Sequence, residues 1–185
     1  MKFKIFEFKK VKSTNDTAIR LIKKNYSNGF IMSETQTFGK GQRGNKWISK
    51  KGNLFISMFF KINEKLILDK IVKLNLIIVN KTINSFINVK TDIKFPNDIL
   101  IKKKKVCGIL QEIIHYKEKK FLIVGTGINT NSSPNIVNLK TTSLRNRSIK
   151  HIDSNKILKD VKKAYEKFIY QIRKYSFLYL KKKLK

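Results

Sequence analysis

Apolar residues alternate with lysine at the start of the chain, where Phe3, Ile5 and Phe8 are set among charged positions over residues 2–9. Period-two alternation with one wet face predicts an edge strand. Ser13-Thr14-Asn15-Asp16 then gives a helix N-cap signal, and Ala18, Leu21 and Ile22 fall at helical spacing over 17–25. Asn28-Gly29 closes that helix. Two strands are read at 30–37 and 54–62, on either side of a glycine-rich loop. The longest helical pattern covers 66–88, where Ile71, Leu74, Ile78, Ile83 and Phe86 make one apolar face. Short strands follow at 91–95, 99–102, 106–115 and 120–125, and a basic amphipathic helix runs from 154 to about 175. The order is neither a clean βαβ repeat nor an all-β series. It predicts an α+β fold: a mixed, largely antiparallel sheet with helices packed on one face.

A length of 185 residues with 41% hydrophobic residues supports one domain, 1–185, with a substantial core. No apolar run reaches membrane-spanning length, and the first residues lack signal-peptide architecture, so a soluble cytoplasmic protein with no membrane partner is expected. Cys107 stands alone in an apolar run and reads as a small buried residue. His115 and His151 lack the clustered partners of a metal site. The charge is extreme, with 42 Lys+Arg against 12 Asp+Glu, or +30. A nucleic-acid partner is one reading. The lysines are spread along the whole chain, however, and Lys, Asn and Ile dominate throughout, as AT-rich coding would produce. Drift accounts for the charge better, and no specific nucleic-acid partner is expected.

Candidate chemistry begins at Gly39-Lys40-Gly41-Gln42-Arg43-Gly44, followed by Trp47. Closely spaced glycines let backbone N–H groups approach an anion, cations close over it, and the indole offers a flat surface to a planar group. The same residues equally suit a solvated basic hairpin loop. The G-x-G-x-x-G spacing carries meaning only between a strand and a helix. Here a turn-rich stretch, 47–53, and then a strand follow it. With three glycines and few apolar anchors, the loop is expected to be mobile without ligand.

A second segment, Lys94-Phe95-Pro96-Asn97-Asp98, reads as a turn between strands. Asp98 is a carboxylate of the kind that helps hold Mg²⁺ with phosphate oxygens, although alone the segment reads as an Asn-Asp turn. Lys105 directly precedes an apolar strand and can point along the sheet. In Gly125-Thr126-Gly127-Ile128-Asn129, two glycines follow an apolar run and bring backbone near a ligand. Asn129 offers paired donors and acceptors.

Together these segments resemble the catalytic domain of the biotin protein ligases. That family carries S-T-N, then E-x-Q-x-x-G-R-G-R-x-G-x-x-W, K-W-P-N-D, K-x-x-G-I-L and G-x-G-I-N. This chain has Ser13-Thr14-Asn15, Glu34 to Trp47 with Gln36 and Gly39, Lys94 to Asp98, Lys105 to Leu110 with Gly108, and Gly125 to Asn129, in the same order. The agreement runs from about Phe3 to Tyr175. The resemblance implies activation of biotin by ATP to biotinyl-5'-AMP, then transfer to a lysine of a biotin carboxyl carrier protein. It implies biotin contacts from Ser13, Thr14, Asn15, Gln36, Gly39, Lys40, Gly108 and Gly125. It implies nucleotide contacts from Lys40, Gly41, Gln42, Arg43, Trp47, Asn97, Lys105, Gly127 and Asn129. Lys105, Arg43 and Asp98 become the catalytic candidates, with Asp98 also the candidate Mg²⁺ ligand.

The chain departs from the pattern where Lys40 and Gln42 stand in place of arginines and Phe95 in place of tryptophan. A helix-turn-helix segment and a small C-terminal β-barrel, both carried by some relatives, are expected to be missing. A homodimer is possible through the edge at 2–9 or through strand 106–115. The rival readings are a lipoate or octanoate ligase-like acyltransferase, a relative that binds biotin without completing transfer, and a non-catalytic basic nucleic-acid-binding protein.

Overall fold

Strand alternation decides which side of the sheet becomes core and which becomes site. A computed structural model of the protein describes residues 2–62, 68–148, 152–172 and 179, the side chains of 68–70 excepted. The elements in chain order are β1 (Ile5–Val11), α1 (Thr14–Lys23), β2 (Asn28–Gln36), β3 (Leu54–Lys61), α2 (Leu68–Asn84), β4 (Thr91–Lys94), β5 (Asp98–Ile101), β6 (Lys104–Tyr116), β7 (Lys119–Ile128) and α3 (Ser154–Ile172). The seven strands form one sheet in the order β1-β2-β3-β7-β6-β5-β4. Every pairing is antiparallel except β1 with β2. That pair is parallel because α1 lies between them and returns the chain to the same end of the sheet.

Registers place successive residues in rows across the sheet. One face carries Phe30–Met58–Val124 and Met32–Ile56–Thr126–Ile109. These join Ile71, Leu74, Ile78 and Ile83 of α2 and Ile157, Val161, Tyr165, Phe168 and Ile169 of α3 in the main core. The α3 residues recur every three or four positions, which keeps them on one stripe. Cys107 is buried in this core, and burial pushes its thiol pKa far up, so it is an inert packing residue.

The opposite face carries the rows Gly29–Phe59–Ile123–Glu112, Ile31–Ser57–Gly125–Leu110 and Ser33–Phe55–Gly127–Gly108–Asp98. Ala18 and Ile22 of α1 pack there on Ile31, Phe59, Phe121 and Ile123. The α+β class and the largely antiparallel sheet are as expected, but the helices are not all on one face. α2 and α3 share the core face, and α1 covers part of the other. The physical cause is that β2, β3 and β7 are apolar on both faces, so one layer of helices cannot bury them.

One other expectation needs correction. β7 continues to Ile128, so Gly125 and Gly127 lie inside a strand and not after one. β7 lies along strand 106–115, whereas β5 pairs with β6 only over Lys104–Gly108, so beyond Gly108 no strand among the described residues pairs with its other side. The expectations at 66–67, His151 and 173–175 lie outside the described residues. No helix among the described residues is long and apolar enough to cross a membrane.

Candidate active site

The floor of the site is a patch of sheet where side chains are missing. Gly108 and Gly127 are register partners, and Gly125 lies two residues before Gly127 on the same face. Neighbours use the space that Cβ atoms would fill. A Cβ on Gly108 would lie 2.7 Å from the Trp47 ring, and one on Gly127 would lie 2.6 Å from Trp47 Cζ2. One on Gly125 would meet the Asn15 amide, with Cγ at 2.9 Å. Above this floor is a cleft of about 830 Å³, a size that suits a nucleotide-bearing ligand.

One wall is the N-terminus of α1. Ser13 caps the helix with extended backbone, and its Oγ accepts from Asp16 N at 3.4 Å. Gln36 Oε1 accepts from Thr14 N at 2.8 Å, and Gln36 Nε2 donates to Ser49 Oγ at 3.1 Å. Ser57 Oγ lies 2.8 Å from Thr14 Oγ1 and 2.5 Å from Asn15 Oδ1, and Asn15 Nδ2 donates to Glu112 at 2.6 Å. Ser13, Thr14, Asn15 and Ser57 are all buried.

A second wall is the loop between β2 and β3. Lys40 and Lys46 pair across its neck, and Gly41 N donates to Asn45 O at 2.7 Å. The turn closes through Arg43 and Gly44, both with left-handed backbone at φ 54° and 77°. Gly44 bears this freely, whereas Arg43 accepts strain of roughly 1 kcal/mol. Lys40 Nζ forms an ion pair with Asp16, which raises its pKa through that hydrogen bond against the opposing effect of burial. Trp47 N donates to Gly39 O at 2.9 Å, and the indole lies on the glycine floor. Trp47 is thus an apolar anchor that a loop dominated by glycine and charge did not suggest.

The far side is built from the β4–β5 turn and the start of β6. Lys105 Nζ lies 2.8 Å from Asp98 Oδ1 and 5.4 Å from the Trp47 ring centre, with both charged side chains less than one-fifth exposed. The Lys105 backbone is held by Lys140 O and Thr142 N. Asn129, 1% exposed, donates to Thr142 O at 3.2 Å and accepts from Leu144 N, so it pins segment 140–144 beside the floor. Among the described residues its Oδ1 has no partner.

All but one of the candidate residues line this one cleft. Gly39 does not. It is buried at the loop neck, where a Cβ would meet Gln36 Nε2 at 3.1 Å. Among the described residues no cluster of three His, Cys, Asp or Glu could hold a metal. Asp98 is paired with Lys105 in an ion pair.

The sequence reading missed several lining or supporting residues. Lys46 and Lys94 add cations, and Pro134, Ile136, Val137 and Leu139 form a further wall. Ser57 had a signal, as the one hydroxyl in the buried strand Leu54–Lys61. Segment 134–141 gave none, because isolated apolar residues in a polar stretch match neither periodicity.

The Biotin/lipoate A/B protein ligase family model matches residues 6–129. The bifunctional ligase/repressor BirA of Bacillus subtilis is 34% identical over 164 residues, covering 84% of this chain and 50% of that protein. The bifunctional ligase/repressor BirA of Escherichia coli is 30% identical over 124 residues, covering 64% of this chain and 38% of that protein. This chain thus spans at most about half the length of these relatives. The structure of biotin protein ligase from Aquifex aeolicus in complex with biotin and ATP superposes with a TM-score of 0.82 at 30% identity, covering 97% of this chain and 76% of that one.

Proposed function

This chain belongs to the Biotin/lipoate A/B protein ligase family, and we propose that it is an ATP-dependent biotin–protein ligase. The observation that carries the proposal is convergence. Five segments far apart in sequence line one cleft: the start of α1, the 37–47 loop, the 95–98 turn, Lys105 with Gly108, and Gly125 to Asn129. The biotin protein ligase from Aquifex aeolicus, solved in complex with biotin and ATP, supports the same reading.

In the proposed reaction a biotin carboxylate oxygen attacks the α-phosphorus of ATP. The new C–O–P bond forms as the bond to pyrophosphate breaks. The amine of a carrier lysine then attacks the acyl carbon, loses a proton and expels AMP. No protein nucleophile is needed. The chain contributes alignment, charge neutralisation and exclusion of water. Thr14, Asn15 and Gln36 present hydrogen-bonding groups for the ureido ring, and Ser13 caps the helix that carries two of them. Lys105 neutralises the carboxylate and α-phosphate as charge moves between them, and Asp98 holds it in place beforehand. Arg43 and Lys40 close over the phosphate from the loop. Trp47, Asn97 and Asn129 border the nucleotide. Mg²⁺ is assigned to the triphosphate it accompanies, as part of the substrate. The protein substrate is a biotin carboxyl carrier protein or domain. The cationic loop with its tryptophan favours biotin over lipoate or octanoate.

Biotin-dependent ATP–pyrophosphate exchange tests the proposal. Exchange with biotin and none with lipoate is expected. Exchange with lipoate alone would transfer the chain to the lipoate branch, and exchange with neither acid would leave a binding protein.

The loop makes a second prediction. Lys40 is already paired with Asp16, and Gln42 carries no charge, so the grip on the adenylate is weak. Gln42→Arg adds a charge-assisted contact and should slow escape of biotinyl-AMP by several-fold, up to about tenfold. Rapid filtration of enzyme loaded with labelled biotin reads this directly. Equal release from both proteins would show that Gln42 does not govern retention.

A further inference from the structure

We propose that Glu112 is a positioning residue that sets the hydrogen-bond polarity of the α1 wall, so that the wall accepts N–H donors such as those of a ureido ring. This rests on the biotin reading above. Glu112 sits half-buried on β6 and does not line the cleft. It acts through a chain of hydrogen bonds that begins at the Asn15 amide.

A carboxylate only accepts. Glu112 Oε2 therefore takes an N–H from Asn15 Nδ2 at 2.6 Å, and this fixes which way the Asn15 amide faces. Asn15 Oδ1 is then turned to Ser57 Oγ at 2.5 Å. An amide oxygen cannot donate, so the single Ser57 proton goes to Asn15. Ser57 Oγ is left as the acceptor for the Thr14 hydroxyl at 2.8 Å. Gln36 Oε1, which accepts from Thr14 N at 2.8 Å, has a second lone pair and lies 3.1 Å from the same hydroxyl, so with either acceptor the Thr14 proton is engaged within the wall. With its proton turned inward, Thr14 Oγ1 offers lone pairs to the cleft it lines. Without Glu112 the Asn15 amide can reverse. Its Nδ2 then faces Ser57, and the Ser57 proton turns to Thr14 and occupies one of the lone pairs Thr14 offered, while the Thr14 proton is left to Gln36 Oε1 or the cleft. That reversed wall accepts an N–H less well. Ser57 is fully buried and Asn15 is 3% exposed, so water cannot repair the mismatch.

A charge swap tests the chain. Asn15→Asp sets two carboxylates face to face and should weaken biotin binding, measured by calorimetry without ATP, by roughly thirtyfold or more. Adding Glu112→Gln supplies an N–H to the new carboxylate while its other oxygen still accepts from Ser57. The double variant should recover to within about fivefold of wild type. Glu112→Leu should bind roughly tenfold more weakly. Thermal melts identify which variants are folded, and if Asn15→Asp does not fold, Glu112→Leu decides alone. A folded double variant that binds no better than Asn15→Asp would overturn the proposal, as would Glu112→Leu binding like wild type. Wild type that fails to bind biotin would instead overturn the ligase reading on which the proposal rests.

Discussion

Lys105→Ala should lower biotin-dependent ATP–pyrophosphate exchange by roughly 10²–10³-fold, the loss typical when a group aimed at developing charge is removed from a sheltered site. The Lys105 ammonium is less than one-fifth exposed and has two neighbours, Asp98 at 2.8 Å and the Trp47 ring at 5.4 Å. In this arrangement the cation is held before substrate arrives. Its attraction to the carboxylate and α-phosphate then carries little cost of ordering. The substitution also leaves Asp98 with an uncompensated, largely buried charge. Stability should fall by about 1–2 kcal/mol, less than for a fully dry pair because both groups keep some water. Adding Asp98→Asn separates the two effects. The double variant should regain the lost melting temperature and none of the exchange. Recovery of exchange along with stability would mean that Lys105 serves the fold and not the chemistry.

Much of this site was legible before the fold was seen, for a chemical reason. Adenylate chemistry needs cations, amides and close backbone, and those residue types are conspicuous at Gly39 to Trp47, Lys105 and Gly125 to Asn129. The sheet was harder to read. Gly125 and Gly127 have the composition of a turn, yet β7 runs through both because β3 and β6 pair with it on either side. Tertiary pairing overrode local propensity there. Glu112 was invisible for a different reason. It is a carboxylate near the polar end of a strand, and only the register that puts it on the Asn15 face gives it a role. The parallel β1–β2 pair was implicit in the strand–helix–strand order at 2–37. What the pattern did not reveal was the face on which α1 would sit, since Ala18 and Ile22 could meet either side of strands apolar on both.

Gly125→Ala should be far more damaging than Gly127→Ala, although the two positions share a strand, a face and a change of one methyl group. At Gly125 the added Cβ would run into the Asn15 side chain, with Cγ at 2.9 Å and Nδ2 at 3.0 Å. Asn15 cannot step aside. It is in the first turn of α1 and is held from one end by Ser57 and from the other by Glu112. Relieving the clash means breaking that network or shifting the helix, so a stability loss of about 1–3 kcal/mol is expected. Displacing Asn15 also releases the protons of Ser57 and Thr14, so biotin affinity should fall by roughly a hundredfold. At Gly127 the new methyl meets the edge of the Trp47 ring, with Nε1 at 2.7 Å. That ring belongs to a surface loop, and among the described residues its Nε1 has no hydrogen-bond partner to give up. It can slide away at small cost in stability, so Gly127→Ala should disturb the nucleotide side while biotin binding alone stays within about threefold of wild type. Melting curves and biotin calorimetry on the two variants decide the matter. Equal losses would mean that the α1 network yields as readily as the loop, and the rigidity assigned to Asn15 would have to be withdrawn.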